Sequence, residues 1–181
     1  MTLCDETRLA DLMAAIASND ADDLALIDRA LADFPQDPRL HFLRGSVLAG
    51  IGRPIEALAA LKTAVDQAPD FAIARFQLGF FQLTSGEAAD ALSTWGPLAL
   101  LPDGHYLRAF VAGLTYLIRD EFPQAMEQLR IGIAANEENA PLNRDIQLII
   151  DRIGEIGVEA RGDDTQSATS LLLGQFGGRP H

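Results

Sequence analysis

The chain is short of positive charge. It has 14 basic side chains against 26 acidic ones, and among the basic residues Lys62 is the only lysine. A protein that holds nucleic acid through phosphate contacts needs clustered Lys and Arg, so a nucleic-acid partner is excluded from the expected set. Cysteine is as scarce: Cys4 stands alone, which rules out an intramolecular disulfide and fits a reducing compartment. Long apolar runs are missing too. The uncharged stretches Ala91–Pro102 and Ala109–Ile118 fall short of the ~18 residues a membrane span requires. Residues 1–7 carry Asp5 and Glu6 and no positive segment, so no secretory signal is read there, and the expected location is the cytoplasm. The bias of Arg over Lys and the abundance of Ala hint at a GC-rich bacterial source.

Residues in catalytic arrangement are also lacking. His41, His105 and His181 are isolated from one another, and Cys4 has no partner at metal-ligand spacing. Gly50-Ile51-Gly52 lacks the third glycine and the preceding strand of a dinucleotide loop. Neither an enzyme nor a bound cofactor or metal is expected.

What is present is a period. Gly45, Gly79 and Gly113 recur every 34 residues, as do Ala57, Ala91 and Ala125, and as do Gly52, Gly86 and Asp120. The pattern reads as paired helices. A helix over Arg39–Ile51 stops at Gly52, and Pro54 opens a second over Ile55–Ala68. Small residues at 45 and 57 let the two approach, with Leu48, Leu58, Leu61, Ala64 and Val65 in the seam. The next unit has a helix over Ala72–Ser85, a stop at Gly86 and a helix from Glu87. The third has Tyr106–Arg119, Asp120 in the turn, and Pro123–Ala135. Gly96-Pro97 should break the second helix of its unit near Trp95–Pro97, while Leu98, Leu100 and Leu101 remain buried. Ile146, Ile149, Ile150 and Ile153 form an amphipathic stripe on a closing helix over residues 141–155.

These residues resemble the tetratricopeptide repeat (TPR) family. Residues 38–71 carry the resemblance best, through Gly45, Leu48, Gly52, Ala57, Leu61, Ala64 and Pro69. Residues 72–105 follow through Leu78, Gly79, Gly86, Ala91, Trp95 and an early Pro102, and residues 106–139 through Gly113, Tyr116, Ala125, Leu129 and Gly132. Residues 4–37 match only through Ala30, Leu31 and Pro35, as a degenerate first unit. The resemblance implies an all-α fold, a right-handed α-solenoid of one degenerate and three full repeats with a C-terminal capping helix. A single domain would span residues 1–160, followed by a tail over 161–181.

The resemblance also implies a concave groove lined by the first helix of each pair. Carried over by position, it assigns Arg39, Phe42, Ser46, Ala49 and Gly50; then Ile73, Phe76, Phe80, Leu83 and Thr84; then Leu107, Phe110, Leu114, Leu117 and Ile118. Phe, Ser and Thr stand where the family's carboxylate clamp has Lys, Arg and Asn, so the expected ligand is an apolar or amphipathic protein segment. Phe42, Phe76 and Phe110 form a further 34-residue ladder, which either packs neighbouring helices or lines the groove. The implied role is a non-catalytic adaptor or chaperone. Alternatives are a self-assembling scaffold, or a chaperone of the type III secretion translocator kind. The tail's Leu171, Leu172, Leu173 and Phe176 suggest that it docks in the groove or on a second copy of the chain. Residues 1–37 hold nine acids and two bases, so −7 of the net −12 lies there.

Overall fold

The computed structural model describes residues 3–17 and 23–159. Among them all regular secondary structure is helical. The helices are α1 (Glu6–Ala17), α2 (Asp23–Asp33), α3 (Pro38–Gly50), α4 (Pro54–Gln67), α5 (Ala72–Thr84), α6 (Ala88–Trp95), a 3-10 helix (Gly96–Leu100), α7 (Tyr106–Ile118), α8 (Phe122–Ala135) and α9 (Ala140–Glu159). The chain divides into two compact units, Met1–Leu78 and Gly79–His181, with the division inside α5. In the first unit each helix from α1 to α4 packs on the next, and in the second the same holds from α6 to α9.

The 34-residue period is present in the backbone. Gly52, Gly86 and Asp120 have φ of 72°, 86° and 56°, the left-handed conformation that ends a helix. At each one the same pair of hydrogen bonds closes the turn. The Gly52 amide donates to the Ala49 carbonyl (3.2 Å) and the Arg53 amide to Leu48 (2.9 Å). Gly86 and Glu87 donate likewise to Leu83 and Gln82, and Asp120 and Glu121 to Leu117 and Tyr116. Aspartate tolerates this conformation better than most residues, so its replacement of glycine leaves the third turn intact.

Each turn is followed by a helix that returns against the one before. A Cβ on Gly45 would lie 2.7 Å from Leu61 Cγ and 3.3 Å from the Ala57 carbonyl oxygen. One on Gly113 would lie 2.7 Å from Leu129 Cγ and 3.1 Å from the Ala125 carbonyl, and one on Gly79 would strike the Trp95 ring, 2.6 Å from Cδ1. Leu61, Trp95 and Leu129, themselves 34 residues apart, are all buried. The seam expected between α3 and α4 forms: Leu48, Leu61, Ala64 and Val65 are buried, and Leu58 is half-buried.

At Gly96-Pro97 the α-helix ends, as expected, at Trp95. Pro97 has no amide to donate, and its ring opposes the carbonyl of Ser93, so the chain tightens into the 3-10 helix. One expectation fails here. With three residues per turn, Pro97 and Leu100 share one side of this helix, and Leu98 and Leu101 the other. Leu98 is buried and Leu101 half-buried, whereas Leu100 is 88% exposed. The closing helix α9 is longer than the stripe suggests, and its Ile146, Ile149, Ile150 and Ile153 are buried. The tail's apolar cluster lies outside the described residues.

Glycine-to-alanine substitutions separate packing from backbone effects. Gly79→Ala should lower stability by about 1–3 kcal/mol, because the Trp95 ring has to move. Gly50→Ala, which meets nothing within 4 Å, should raise it by about 0.5 kcal/mol. Urea unfolding followed by circular dichroism measures both.

Candidate peptide-binding site

The structure divides the eleven principal groove positions into two sets. Phe76, Leu83, Leu107, Phe110, Leu114 and Leu117 are buried within the chain. Arg39, Phe42, Ile73, Phe80 and Ile118 are half-buried. The first set leaves little surface open to a ligand. The reason is visible at Phe110. Its ring fills the space beside Gly132, where a Cβ would meet Phe110 Cγ at 3.2 Å, and it takes the Tyr106 ring edge-on at 5.8 Å between centroids. An α7 that is apolar on nearly every side is therefore mostly an interior helix.

In the first unit the half-buried set centres on Phe42 of α3. Its ring lies 5.3 Å from that of Phe71, tilted by 59°. Ile73, in the first turn of α5, follows Phe71 by two residues. Ser46, one turn after Phe42, places its hydroxyl 3.0 Å from the Phe42 carbonyl and 3.1 Å from Gln77 Oε1. In the second unit Phe80 and Ile118 remain partly exposed.

Arg39 has a different occupation. Asp37 is fully buried just before α3 and caps it, its Oδ1 accepting from the Arg39 amide and from Arg39 Nε, both at 3.0 Å. Its Oδ2 accepts from Arg39 Nη2 (2.7 Å) and from the Cys4 amide (2.9 Å). The same Nη2 donates to the Cys4 carbonyl at 2.6 Å, and Nη1 to Glu6 Oε1 at 2.5 Å. Burial alone pushes the Asp37 carboxyl up, but the Arg39 side chain, the Cys4 and Arg39 amides and the Arg39 charge outweigh it and hold the group below its usual range. The Arg39 guanidinium is raised, mainly by its bond to Asp37. Arg39 is thus a clasp on the N-terminal segment. A sequence signal existed: an Asp before Pro at a helix start, with Arg two residues on, is a side-chain cap with a counter-ion.

Two histidines also have structural partners. His41 Nε2 lies 2.9 Å from the Pro35 carbonyl. Thirty-four residues later, Arg75 donates from Nε (3.1 Å) and Nη2 (2.8 Å) to the Pro69 carbonyl. Both side chains tie a helix start to the connection before it. His105 caps α7, its Nδ1 accepting from the Leu107 amide at 3.2 Å.

The α8–α9 connection is held by a buried Asn136. Its Nδ2 donates to the Asn139 carbonyl and to Asn143 Oδ1, and its Oδ1 accepts from the amides of Glu138 and Asn139. Among the described residues no group of three or more His, Cys, Asp or Glu side chains is placed to hold a metal ion, and no helix is long and apolar enough to cross a membrane. No protein-family model matches the chain, and no curated protein matches it.

The lowered Asp37 carboxyl fixes a pH dependence. Because its folded-state pKa lies below the ordinary value of 3.8, it stabilises the fold above that pH, and the contribution is lost as pH falls through the folded value. Asp37→Ala should cost about 3 kcal/mol at neutral pH, since it leaves Arg39 without its buried partner. It should also flatten the acid limb of the stability curve. Chemical unfolding at several pH values measures both effects.

Proposed function

We propose that this chain is a repeat protein of the tetratricopeptide kind that binds an apolar or amphipathic protein segment and catalyses nothing. The observation that supports it is the recurrence, every 34 residues, of the same helix-ending turn and the same small-residue contact with the returning helix: Gly52 with Gly45–Leu61, Gly86 with Gly79–Trp95, and Asp120 with Gly113–Leu129. A sequence period alone can be coincidental. A period shared by backbone conformation, hydrogen bonds and side-chain packing describes a repeated structural unit. In this reading the units continue as a right-handed solenoid with α9 as its closing helix.

The binding role rests on the side chains that stay half-buried on α3, α5 and α7. Phe42 and Ile73 serve in the first unit and Phe80 and Ile118 in the second. Each offers partly exposed apolar area. The expected ligand is an amphipathic helix or a short hydrophobic extended segment, with no nucleic acid and no membrane involved. A second reading, a self-assembling scaffold, is favoured by Ile55 and Leu100, which are almost fully exposed. Light scattering across a concentration series separates the two, since only the scaffold grows with concentration.

Substitution tests the binding reading. Phe42→Asp and Phe80→Asp should each weaken binding of amphipathic helical peptides at least tenfold, read by fluorescence anisotropy, while helicity is retained. Leu114→Asp puts a charge into the core and should instead unfold the second unit. Retained affinity in both Phe variants would exclude these residues from the site.

A further inference from the structure

The segment 3–17 lies over an apolar face of α2 and α3. Cys4 and Leu9 are buried there with Ala30 and Leu40, and Leu12, Leu31, Phe34 and Leu43 pack around them. The way this segment is held differs from the rest of the first unit. Helix α4 buries five apolar side chains, Ala57, Ala60, Leu61, Ala64 and Val65. Among the described side chains of segment 3–17, Cys4 and Leu9 are the buried ones, while Leu3 and Met13 stay about half exposed.

Charged side chains add several further ties. The Cys4 amide and carbonyl are gripped by Asp37 and Arg39, Glu6 meets Arg39, and Arg8 meets Asp33 at 2.6 Å with its guanidinium 5.2 Å from the Phe34 ring centroid. Arg39 therefore joins the buried carboxylate to two points of the segment, the Cys4 carbonyl and Glu6, while the carboxylate itself takes the Cys4 amide. Hydrophobic burial accumulates residue by residue, but a polar clasp of this kind is lost together when its hub is removed.

We propose that α1 is a releasable lid, latched by Arg39 and Asp37, that covers the apolar face formed by Ala30, Leu31, Phe34, Leu40 and Leu43. Opening exposes that face while α3 and α4 stay folded, because their mutual seam does not involve the segment. Local opening of this kind draws on the least buried element of a unit. Cys4 sits under the lid and is 2% exposed. As the chain's only cysteine, it reports opening directly.

The test follows the rate at which a disulfide reagent modifies Cys4 in the full chain, alongside amide exchange in α3 and α4. Arg39→Gln should speed modification at least tenfold with the amides of α3 and α4 still protected. Glu6→Gln combined with Arg8→Gln, which spares the Asp37–Arg39 pair, should speed it severalfold, and raised salt should do the same in the unmodified protein. Arg53→Gln breaks a surface pair with Glu56 and should change nothing. The lid is refuted if Cys4 modification in the unaltered chain and in the Glu6/Arg8 variant keeps pace with exchange in α3 and α4. It is equally refuted if neither clasp variant alters the rate more than twofold.

Discussion

The close approach of two helices at a residue without a side chain is the constraint on which the rest of the structure depends. At Gly45, Gly79 and Gly113 the space a Cβ would need is already taken by Leu61, Trp95 and Leu129. A large side chain sixteen residues downstream can occupy that space only if the chain reverses at the right place. The left-handed residues at 52, 86 and 120 provide the reversal, each seven positions after its glycine. Turn and contact thus constrain each other, and a shift of one residue in either would carry the downstream side chain to another side of its helix.

The same geometry accommodates exceptions. Trp95 is much larger than Leu61 or Leu129, and the helix bearing it is cut short by Gly96-Pro97. The 3-10 segment that follows restores burial through Leu98 and gives up Leu100 to solvent. At the chain's beginning, where segment 3–17 buries few apolar side chains, a buried ion pair takes over part of the holding. At the α8–α9 connection a saturated asparagine network does so. Asp37 and Asn136 are buried at these two places, and both are held by several hydrogen bonds.

This distribution explains what could be read from the sequence. Helix ends were legible to within a residue or two at most boundaries, because glycine, proline and the small-residue ladders act locally. The exposure of individual side chains was not. Periodicity places Phe76, Phe110 and Leu114 on the first helices of their pairs but does not say how much of each helix its neighbours cover. Of the positions that the resemblance assigns to a ligand-facing surface, six are buried within the chain and five are half-buried. Arg39 sits at a groove position by number, yet its fork is committed to Asp37, Cys4 and Glu6. Leu100 is apolar, and its letter alone does not tell that a helix with three residues per turn carries it to the side of Pro97, away from Leu98. The carbonyl ties of His41 and Arg75 share the 34-residue period, but different residue types carry them, which hides them from any comparison of letters.

The central claim is that one small-to-large contact recurs as the organising unit. A pair of double-mutant cycles addresses it most directly, Gly45→Ala with Leu61→Ala and Gly113→Ala with Leu129→Ala, each followed by urea unfolding. If the contact is as described, each glycine substitution costs about 1–3 kcal/mol in the parent chain. It costs little or nothing once the facing leucine is shortened, and both cycles show coupling above about 1 kcal/mol. Additive effects within about 0.3 kcal/mol in both cycles would mean that the paired residues do not meet, and would contradict the account.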